Sequence, residues 1–343
     1  MDVYDGTIQG VASDIHNSVC YQSKKVASCL MDIKMETTIL FGNGVNRLSD
    51  NGIEWKELLR KVSGMLGEIP DFNNNTMLFE YITLPEAVPL ADRDGNPFYF
   101  SDGEPWLAKN VTEEDVKKGL KDILKDGKSW FYKNLADLHA DHYLTTNYEL
   151  YLNEEFTICP KKSCQEKHDG VESLLYDHEV GIRDGHKASL WNIHGNTKCP
   201  QSILLGMNEY CKYVVAIEEY LQKKDPNKKS WVDLMTETNV HIVGLGLAFE
   251  EIDLWYLLTR RMRRFKQNEP INNKIFFYQI AEKGKHNNAV TQMLVAAGVE
   301  VVPIEIHNKT EKGDWKKAYQ EIYKEIKQHL REYRSLPRCK TVT

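Results

Sequence analysis

Short apolar, β-branched segments alternate with helix-like segments along most of this chain, and this alternation is the feature that most constrains its fold. Residues Thr37–Phe41 read TTILF and are followed at once by Gly42, as expected for a buried strand. Similar strands are predicted at 142–146, 189–193, 240–243, 274–280 and 299–304. Strands that alternate with helices are typical of βαβ units. The sequence therefore predicts an α/β fold with a Rossmann-like, mostly parallel sheet and helices on both faces.

The segments between these strands show helical spacing. One helix is predicted to start after Thr112, whose hydroxyl suits the N-cap position, and to continue to about Lys125. Gly298 is predicted to close another helix at its C-terminal end. The predicted helices span 55–62, 112–125, 130–139, 250–266, 288–297 and 314–333.

The 343 residues are predicted to form one main domain at 37–310, with a helical arm at 1–36 before it and a helix with a tail at 311–343 after it. Two insertions are predicted within this domain, at about 67–140 and 153–188. The first contains five prolines between residues 67 and 106, which favours a smaller, helical and irregular lobe or lid. The second is polar and is predicted to be rich in loops.

Composition argues against several classes of protein. The net charge of −6 leaves no broad basic excess for neutralising phosphates, so direct binding of nucleic acid is not expected. No stretch of about 18 uninterrupted apolar residues occurs, and the N-terminus lacks an apolar signal core. Seven scattered cysteines are typical of reduced thiols rather than of a disulfide framework. Together these features predict a cytoplasmic protein without a membrane span.

Small and polar residues follow four of the predicted strands. They are Gly42-Asn43-Gly44, Thr146-Asn147, His194-Gly195 and Gly244-Leu245-Gly246. In open parallel sheets, ligands bind outside the carboxyl ends of the strands, where the strand order reverses. We therefore expect the four segments to converge on one crevice if their strands belong to one sheet.

Each of these segments allows a functional and a structural interpretation. Gly-x-Gly lets backbone N–H groups approach a pyrophosphate, but Arg47 replaces the third glycine of the dinucleotide motif, and a tight turn needs the same glycines. The amide of Asn147 suits ribose hydroxyls or a positioned water, although asparagine is also a common helix cap. His194 can act as a general base, or it can be a hydrogen-bonded core residue.

Taken in order, these segments resemble the sirtuin-like NAD-binding domain of bacterial proteins. The resemblance covers roughly residues 37–305. Residues 41–46, followed by Trp55–Leu59, resemble the first loop of the family and its W-x-x-L-L helix. Residues 144–149 resemble its T-T-N-Y-D segment, and residues 193–196 resemble its L-H-G-S segment. Residues 243–247, with Asp253 and Leu254, resemble its G-Y-S-L-x-D-x-D-L segment.

The resemblance implies roles for individual residues. Asn147 and His194 occupy the positions of the catalytic pair of the family. The implied cofactor-binding residues are Gly42, Asn43, Gly44, Asn46, Thr146, Glu149, Gly195, Gly244 and Leu245. Three of these depart from the family pattern, which usually has Ala at position 43, often has Ser at position 46, and has Asp at position 149.

The paired Cys-x-x-Cys motifs of protein-deacylating sirtuins do not occur here. Cys199 and Cys211 are isolated, and Cys159 and Cys164 precede His194, whereas structural zinc needs four ligands at close paired spacings. No metal is therefore expected. This pattern resembles bacterial enzymes that hydrolyse NAD in anti-phage defence.

The resemblance implies an NAD glycohydrolase that takes NAD as its substrate and releases nicotinamide and ADP-ribose. Because free NAD hydrolysis is toxic, we expect a homo-oligomer that is activated by assembly or by a separate partner, such as a defence-system ATPase or sensor. Three alternatives stay open. They are a module that binds NAD or a signal nucleotide without turnover, a protein deacylase or ADP-ribosyltransferase, and an interaction subunit whose core only supports a complex.

Overall fold

A computed structural model of the protein describes residues 35–63, 74–83, 112–159, 170–176 and 178–335. Within these residues, eight strands form one sheet. The strands are β1 (Thr37–Phe41), β2 (His142–Thr145), β3 (Thr157–Ile158), β4 (His178–Arg183), β5 (His186–Asn192), β6 (Asn239–Val243), β7 (Ile275–Glu282) and β8 (Glu300–Ile306).

The same residues form ten α-helices and several short 3₁₀ turns. The helices are α1 (Trp55–Ser63), α2 (Asn75–Thr83), α3 (Glu113–Leu124), α4 (Phe131–Ala136), α5 (Ser173–Tyr176), α6 (Met207–Gln222), α7 (Trp231–Glu237), α8 (Ile252–Lys266), α9 (Ala289–Ala296) and α10 (Lys312–Ser335). Thr112 caps α3 as predicted, because its hydroxyl accepts from the backbone N–H of Asp115 at 3.2 Å. In return, the Asp115 carboxylate accepts from the backbone N–H of Thr112, which completes a capping box.

The strand order is β3-β4-β5-β2-β1-β6-β7-β8. The six strands from β5 to β8 are parallel, and β3 and β4 continue the sheet in antiparallel fashion. If only the parallel strands are numbered along the chain, their order is 3-2-1-4-5-6, which is the order of dinucleotide-binding Rossmann folds. The predicted α/β, Rossmann-like fold is thus confirmed, and the strand order reverses between β1 and β6.

Two hydrophobic clusters cover the two faces of the sheet. Leu40 of β1 points to one face, where it joins a cluster that includes residues of α6, α7, α8 and α9. Ile39 and Phe41 of the same strand point to the other face, where residues of α4 and α10 pack. Every residue of β1 is buried, which explains why this strand reads as a continuous apolar and β-branched run.

A third cluster forms a smaller helical lobe beside the sheet. Side chains of α1, α2 and α3 pack together, for example Leu59, Phe79 and Leu120. They also contact Tyr148 and Ile203, which belong to loops after β2 and β5. The smaller lobe therefore stands next to the carboxyl ends of the central strands.

The segment 153–188 differs from the prediction of a loop-rich excursion. It contains β3 and β4, which lengthen the sheet beyond β5. β4 reads HEVGIR and is mostly half-buried, so it lacks the continuous apolar run that marks a central strand. This polar character is the reason why the sequence pattern indicates a loop here instead of a strand.

The predicted arm, apart from residues 35 and 36, lies outside the described residues. So do 84–111, with most of the proline-rich segment, and 160–169. Among the helices that the structure describes, none has the length and apolar character needed to cross a membrane.

Candidate functional site

A cavity of about 740 Å³ lies at the carboxyl ends of the central strands, where the strand order reverses. The loops after β1, β2, β5 and β6 form its floor, and residues of α1, α2 and α3 form the opposite wall. The segments that the sequence placed at four strand ends thus meet in one crevice, as expected from the position of their strands in one sheet.

Eight of the eleven predicted site residues line this cavity: Asn43, Gly44, Thr146, Asn147, Glu149, His194, Gly244 and Leu245. Gly42, Asn46 and Gly195 are not part of its wall. Asn46 is buried behind the wall, where its side chain donates to Asn43 Oδ1 at 2.9 Å.

The glycines after β1 and β6 pack against one another. The Gly44 N–H donates to the Gly244 carbonyl at 2.7 Å, and the Gly42 N–H donates to the Val243 carbonyl at 3.1 Å. A Cβ atom on Gly44 would lie 2.6 Å from the same Gly244 oxygen, which is too close for any side chain. The N–H groups of Gly42 and Gly44 therefore bond to backbone carbonyls of the protein itself. The close packing of the two loops explains both glycines, as in the tight-turn interpretation.

Gly195 has an equally local explanation. Its φ of +82° lies in the region that favours glycine, and a Cβ atom there would lie 2.2 Å from the Ser202 carbonyl oxygen. The turn that it makes directs the chain from β5 past the cavity wall, so that His194 lines the cavity immediately before it.

Asn147 belongs to a buried network centred on one carboxylate oxygen. Glu149 Oε1 accepts from Asn147 Nδ2 at 2.9 Å, from Asn46 Nδ2 at 3.3 Å and from the hydroxyl of Tyr132, which lies on α4. The Tyr132 hydroxyl also lies 2.8 Å from Asn46 Oδ1 and 3.3 Å from Asn147 Nδ2. Burial raises the pKa of Glu149, and these donors act in the opposite direction.

This network fixes how the Asn147 amide is turned. Its nitrogen faces Glu149, and its side-chain oxygen has no hydrogen-bond partner among the described residues. Asn147 caps no α-helix, because the next element is the 3₁₀ turn at Asn153–Glu155. The helix-cap alternative is thus not what the structure has, and Glu149 acts on Asn147 by holding its amide nitrogen.

His194 is almost fully buried and uses both of its ring nitrogens. Nε2 lies 2.9 Å from Oδ2 of Asp253, which is in the first turn of α8 and has no exposed surface. Nδ1 lies 3.2 Å from the hydroxyl of Tyr210, which is in the first turn of α6. We assign the Nε2–H as the donor to Asp253 Oδ2, which leaves Nδ1 of the neutral imidazole to accept from the Tyr210 hydroxyl. The other carboxyl oxygen, Asp253 Oδ1, is buried without a hydrogen-bond partner in the described residues.

Acidic groups surround this part of the cavity. Burial raises the pKa of Tyr210 well above its usual range, and the nearby carboxylates of Asp253, Glu251 and Glu250 act in the same direction. The phenol therefore stays protonated. Burial also raises the pKa of Glu251, whose Oε2 is buried without a hydrogen-bond partner in the described residues.

The far end of the cavity lies over β7 and the start of α9. Gln279 of β7 donates from Nε2 to the Thr291 hydroxyl at 2.6 Å. That hydroxyl donates to Asn288 Oδ1 at 3.1 Å, so the direction of both hydrogen bonds is fixed. Gln279 Oε1 is left as a buried acceptor without a partner in the described residues.

Basic side chains and a link between the two lobes lie at the cavity mouth. Arg47 and Lys56 are the basic residues that the described wall contains. The Arg47 guanidinium pairs with Glu54 at 2.8 Å and lies 5.5 Å from the centre of the Trp315 ring. Across the cavity, the carboxylate of Glu250 accepts from the backbone N–H and the side chain of Asn75, which begins α2.

No cluster of three or more His, Cys, Asp or Glu side chains arranged to hold a metal ion is found in the described part of the chain. Cys159 and Cys199 are half-buried free thiols, Cys211 is exposed, and Cys164 lies outside the described residues.

Sequence reasoning did not assign roles to three residues that hold the candidate pair. Tyr132 and Tyr210 come from helices, and no motif marks them. Asp253 was part of a motif-like segment, so its position gave a signal, although nothing linked it to His194. All three reach the site through tertiary packing.

Comparison of the sequence with protein-family models finds no matching family, and comparison with curated proteins finds no match either.

Proposed function

We propose that this protein is an NAD glycohydrolase that cleaves the nicotinamide–ribose bond of NAD to give nicotinamide and ADP-ribose. The observation that supports the proposal most directly is the position of Asn147 and His194. Both line one nucleotide-sized cavity at the point of a Rossmann-like sheet where dinucleotides bind. The resemblance of these segments to sirtuin-like domains supports the same assignment.

The proposed reaction needs no acid catalyst for its leaving group. Cleavage passes through an oxocarbenium-like state, and nicotinamide leaves as a neutral group, so the leaving group needs no proton. The protein must hold the ribose, exclude bulk water and position one nucleophile. We assign the side-chain oxygen of Asn147, which has no hydrogen-bond partner in the described residues, to a ribose hydroxyl or to the attacking water. We assign His194 to accepting the proton that is released.

The cavity offers room and suitable groups for the rest of the substrate. Its volume of about 740 Å³ is typical of pockets that enclose a small ligand. We assign the pyrophosphate to the reversal point between β1 and β6, near Asn43 and Arg47, and the adenosine half to the wall near Gln279. The Glu250–Asn75 link at the mouth would help to keep water out.

The biological setting follows from the proposed reaction. An enzyme that destroys NAD is toxic to its own cell, so we propose that it acts in the bacterial cytoplasm during anti-phage defence. In this proposal the protein stays inactive until it assembles into an oligomer or meets a partner, such as an ATPase or sensor of the same system.

A second candidate function is binding of NAD or a signal nucleotide without turnover. It is favoured by the fact that both ring nitrogens of His194 bond to protein groups, as in a satisfied core histidine. A protein deacylase or ADP-ribosyltransferase is a third candidate, and no contact in the described residues specifically supports it.

Nicotinamide release and NAD affinity, measured in parallel, separate the candidates. Asn147→Ala is expected to abolish release. His194→Gln is the better histidine variant, because its amide can still donate to the buried Asp253, whereas alanine would leave that carboxylate unpaired at a cost of about 3–5 kcal/mol. His186→Gln is the control: His186 begins the strand that ends before His194, lies away from the cavity wall and donates to the Ala140 carbonyl.

The assay should cover a wide range of protein concentration, because activation by assembly is part of the proposal. Release by the wild type and by His186→Gln, with loss in the other two variants, is the expected result. NAD binding without release at every concentration would favour the binding module. Transfer of acyl or ADP-ribosyl groups on a peptide would favour the third candidate.

A further inference from the structure

We propose that Tyr210 is a catalytic residue, whose phenol hydroxyl takes the proton from the attacking water and hands its own proton to His194. This inference rests on the proposed NAD hydrolysis and adds a residue to it. It starts from the hydrogen-bonded series Asp253, His194 and Tyr210, which runs from a fully buried carboxylate to the cavity wall.

The direction of this series is fixed by its buried end. Asp253 Oδ2 accepts the Nε2–H of His194 at 2.9 Å, so the neutral imidazole has its lone pair on Nδ1. Nδ1 lies 3.2 Å from the Tyr210 oxygen, and the two rings meet edge to face at 86°. Tyr210 is therefore the donor of the second hydrogen bond, and its oxygen keeps lone pairs that can accept a proton.

His194 has no ring nitrogen left for the substrate in this arrangement. A base that contacts a water or a ribose hydroxyl must offer an unshared lone pair within hydrogen-bond reach. We assign this role to Tyr210, which lines the cavity and whose oxygen keeps a lone pair beside its hydrogen bond to His194. Asp253 does not line it and acts as a positioning residue, because it sets the protonated nitrogen of His194.

The proton movements balance without an ionised tyrosine. As the water oxygen bonds to C1′ of the ribose, the C1′–N bond breaks and its electron pair stays on nicotinamide. The water proton moves to the Tyr210 oxygen while the Tyr210 proton moves to His194 Nδ1. The resulting imidazolium is paired with Asp253 and later releases its proton to solvent. The raised pKa of Tyr210 fits this scheme, since the phenol is protonated at the start and at the end.

Tyr210→Phe tests the relay, because it removes the hydroxyl and keeps the ring. We expect kcat for nicotinamide release to fall about 10²–10⁴-fold, as for loss of general base catalysis, with KM and NAD affinity nearly unchanged. Combination with His194→Gln should lower kcat no further, because both changes break the same relay. Tyr220→Phe is the matched control: Tyr220 lies on the same helix and its hydroxyl bonds to Asp233, away from the cavity wall.

The tautomer and hydrogen bonding of His194 can be measured by NMR, and they would not change on substitution of Tyr210 or Asp253 if these residues had a purely structural role. In protein labelled with ¹⁵N-histidine, we expect His194 to carry its proton on Nε2 in the wild type. Tyr210→Phe should shift only the Nδ1 resonance, towards that of a nitrogen without a hydrogen bond. Asp253→Asn, whose amide can donate to Nε2, should move the proton to Nδ1 and lower kcat with it.

The outcomes separate this inference from the proposed function. An active wild type with an equally active Tyr210→Phe variant would overturn the relay alone. Additive losses in the double variant, or an Nε2 without a proton in the wild type, would also overturn it. A wild type that binds NAD and releases no nicotinamide would overturn the proposed function, and the relay with it.

Discussion

Removal of the Tyr132 hydroxyl should weaken the protein by an amount that depends on pH. This hydroxyl donates to Glu149 Oε1, which is also bound by Asn147 and Asn46. Tyr132→Phe keeps the ring in its edge contact with Phe41 and removes a single donor from a buried carboxylate. A hydrogen bond to a charged group contributes about 1.5–3 kcal/mol. We therefore expect the free energy of unfolding to fall by that amount at neutral pH.

The sign of the pH dependence follows from the pKa of Glu149. Burial raises this pKa above 4.5 in the folded protein, and loss of the Tyr132 donor raises it further. The folded variant then holds its proton to higher pH than the folded wild type does. The stability difference should be fully present above both folded pKa values and should shrink as pH falls through them, to the smaller cost of a neutral hydrogen bond, about 0.5–1.5 kcal/mol.

Urea denaturation at about pH 7.5 and about pH 4.5 measures this difference, with Tyr143→Phe as the matched control. Tyr143 is equally buried in the same cluster, but its hydroxyl donates to the Leu135 carbonyl and accepts from the Ala140 N–H. Its substitution should cost the same at both pH values. Equal costs of Tyr132→Phe at the two pH values would refute the reasoning, because Glu149 would then not be the charged partner.

Three further predictions concern stability. Gly44→Ala should lower the free energy of unfolding by about 1–3 kcal/mol, because its Cβ would meet the Gly244 carbonyl at 2.6 Å, whereas Gly246→Ala, with nothing within 4 Å, should be neutral in the same denaturation assay. Arg261→Met should cost at least about 3 kcal/mol in urea denaturation without changing NAD affinity, because its buried guanidinium donates four hydrogen bonds to oxygen atoms. Burial lowers the pKa of His241 to about 3. The free energy of unfolding should therefore fall by up to about 1.4 kcal/mol per pH unit as pH falls from 6.5 towards 3. His241→Gln should remove this part of the slope of unfolding free energy against pH.

The fold could be predicted where a strand is buried on both faces. β1 has the bounds that its apolar run predicts, and β6 begins one residue earlier than predicted, because burial on both faces requires apolar or β-branched residues throughout. β4 was missed, because this mostly half-buried strand near the edge of the sheet carries His, Glu and Arg in place of a continuous apolar run. Strand order could not be predicted from composition or periodicity, since it depends on which strands pair after the helices pack.

Only those residues of the candidate site that lie near the ends of strands could be predicted from the sequence. The rule that ligands bind at the carboxyl ends of parallel strands indicates the segments that contain Asn147 and His194, each two residues after the end of its strand, and the resemblance to sirtuin-like domains then selects the pair. The same rule cannot find Tyr132, Tyr210 or Asp253, because these residues lie on helices rather than at strand ends and reach the site through tertiary packing. Yet these residues decide how the pair is oriented: Tyr132 binds the Glu149 carboxylate that holds the amide nitrogen of Asn147, and Asp253 leaves the lone pair of His194 to Tyr210. The orientation of the candidate pair therefore depends on how these helices pack. Variants of Tyr132, Tyr210 and Asp253 test the proposed function as directly as variants of Asn147 and His194.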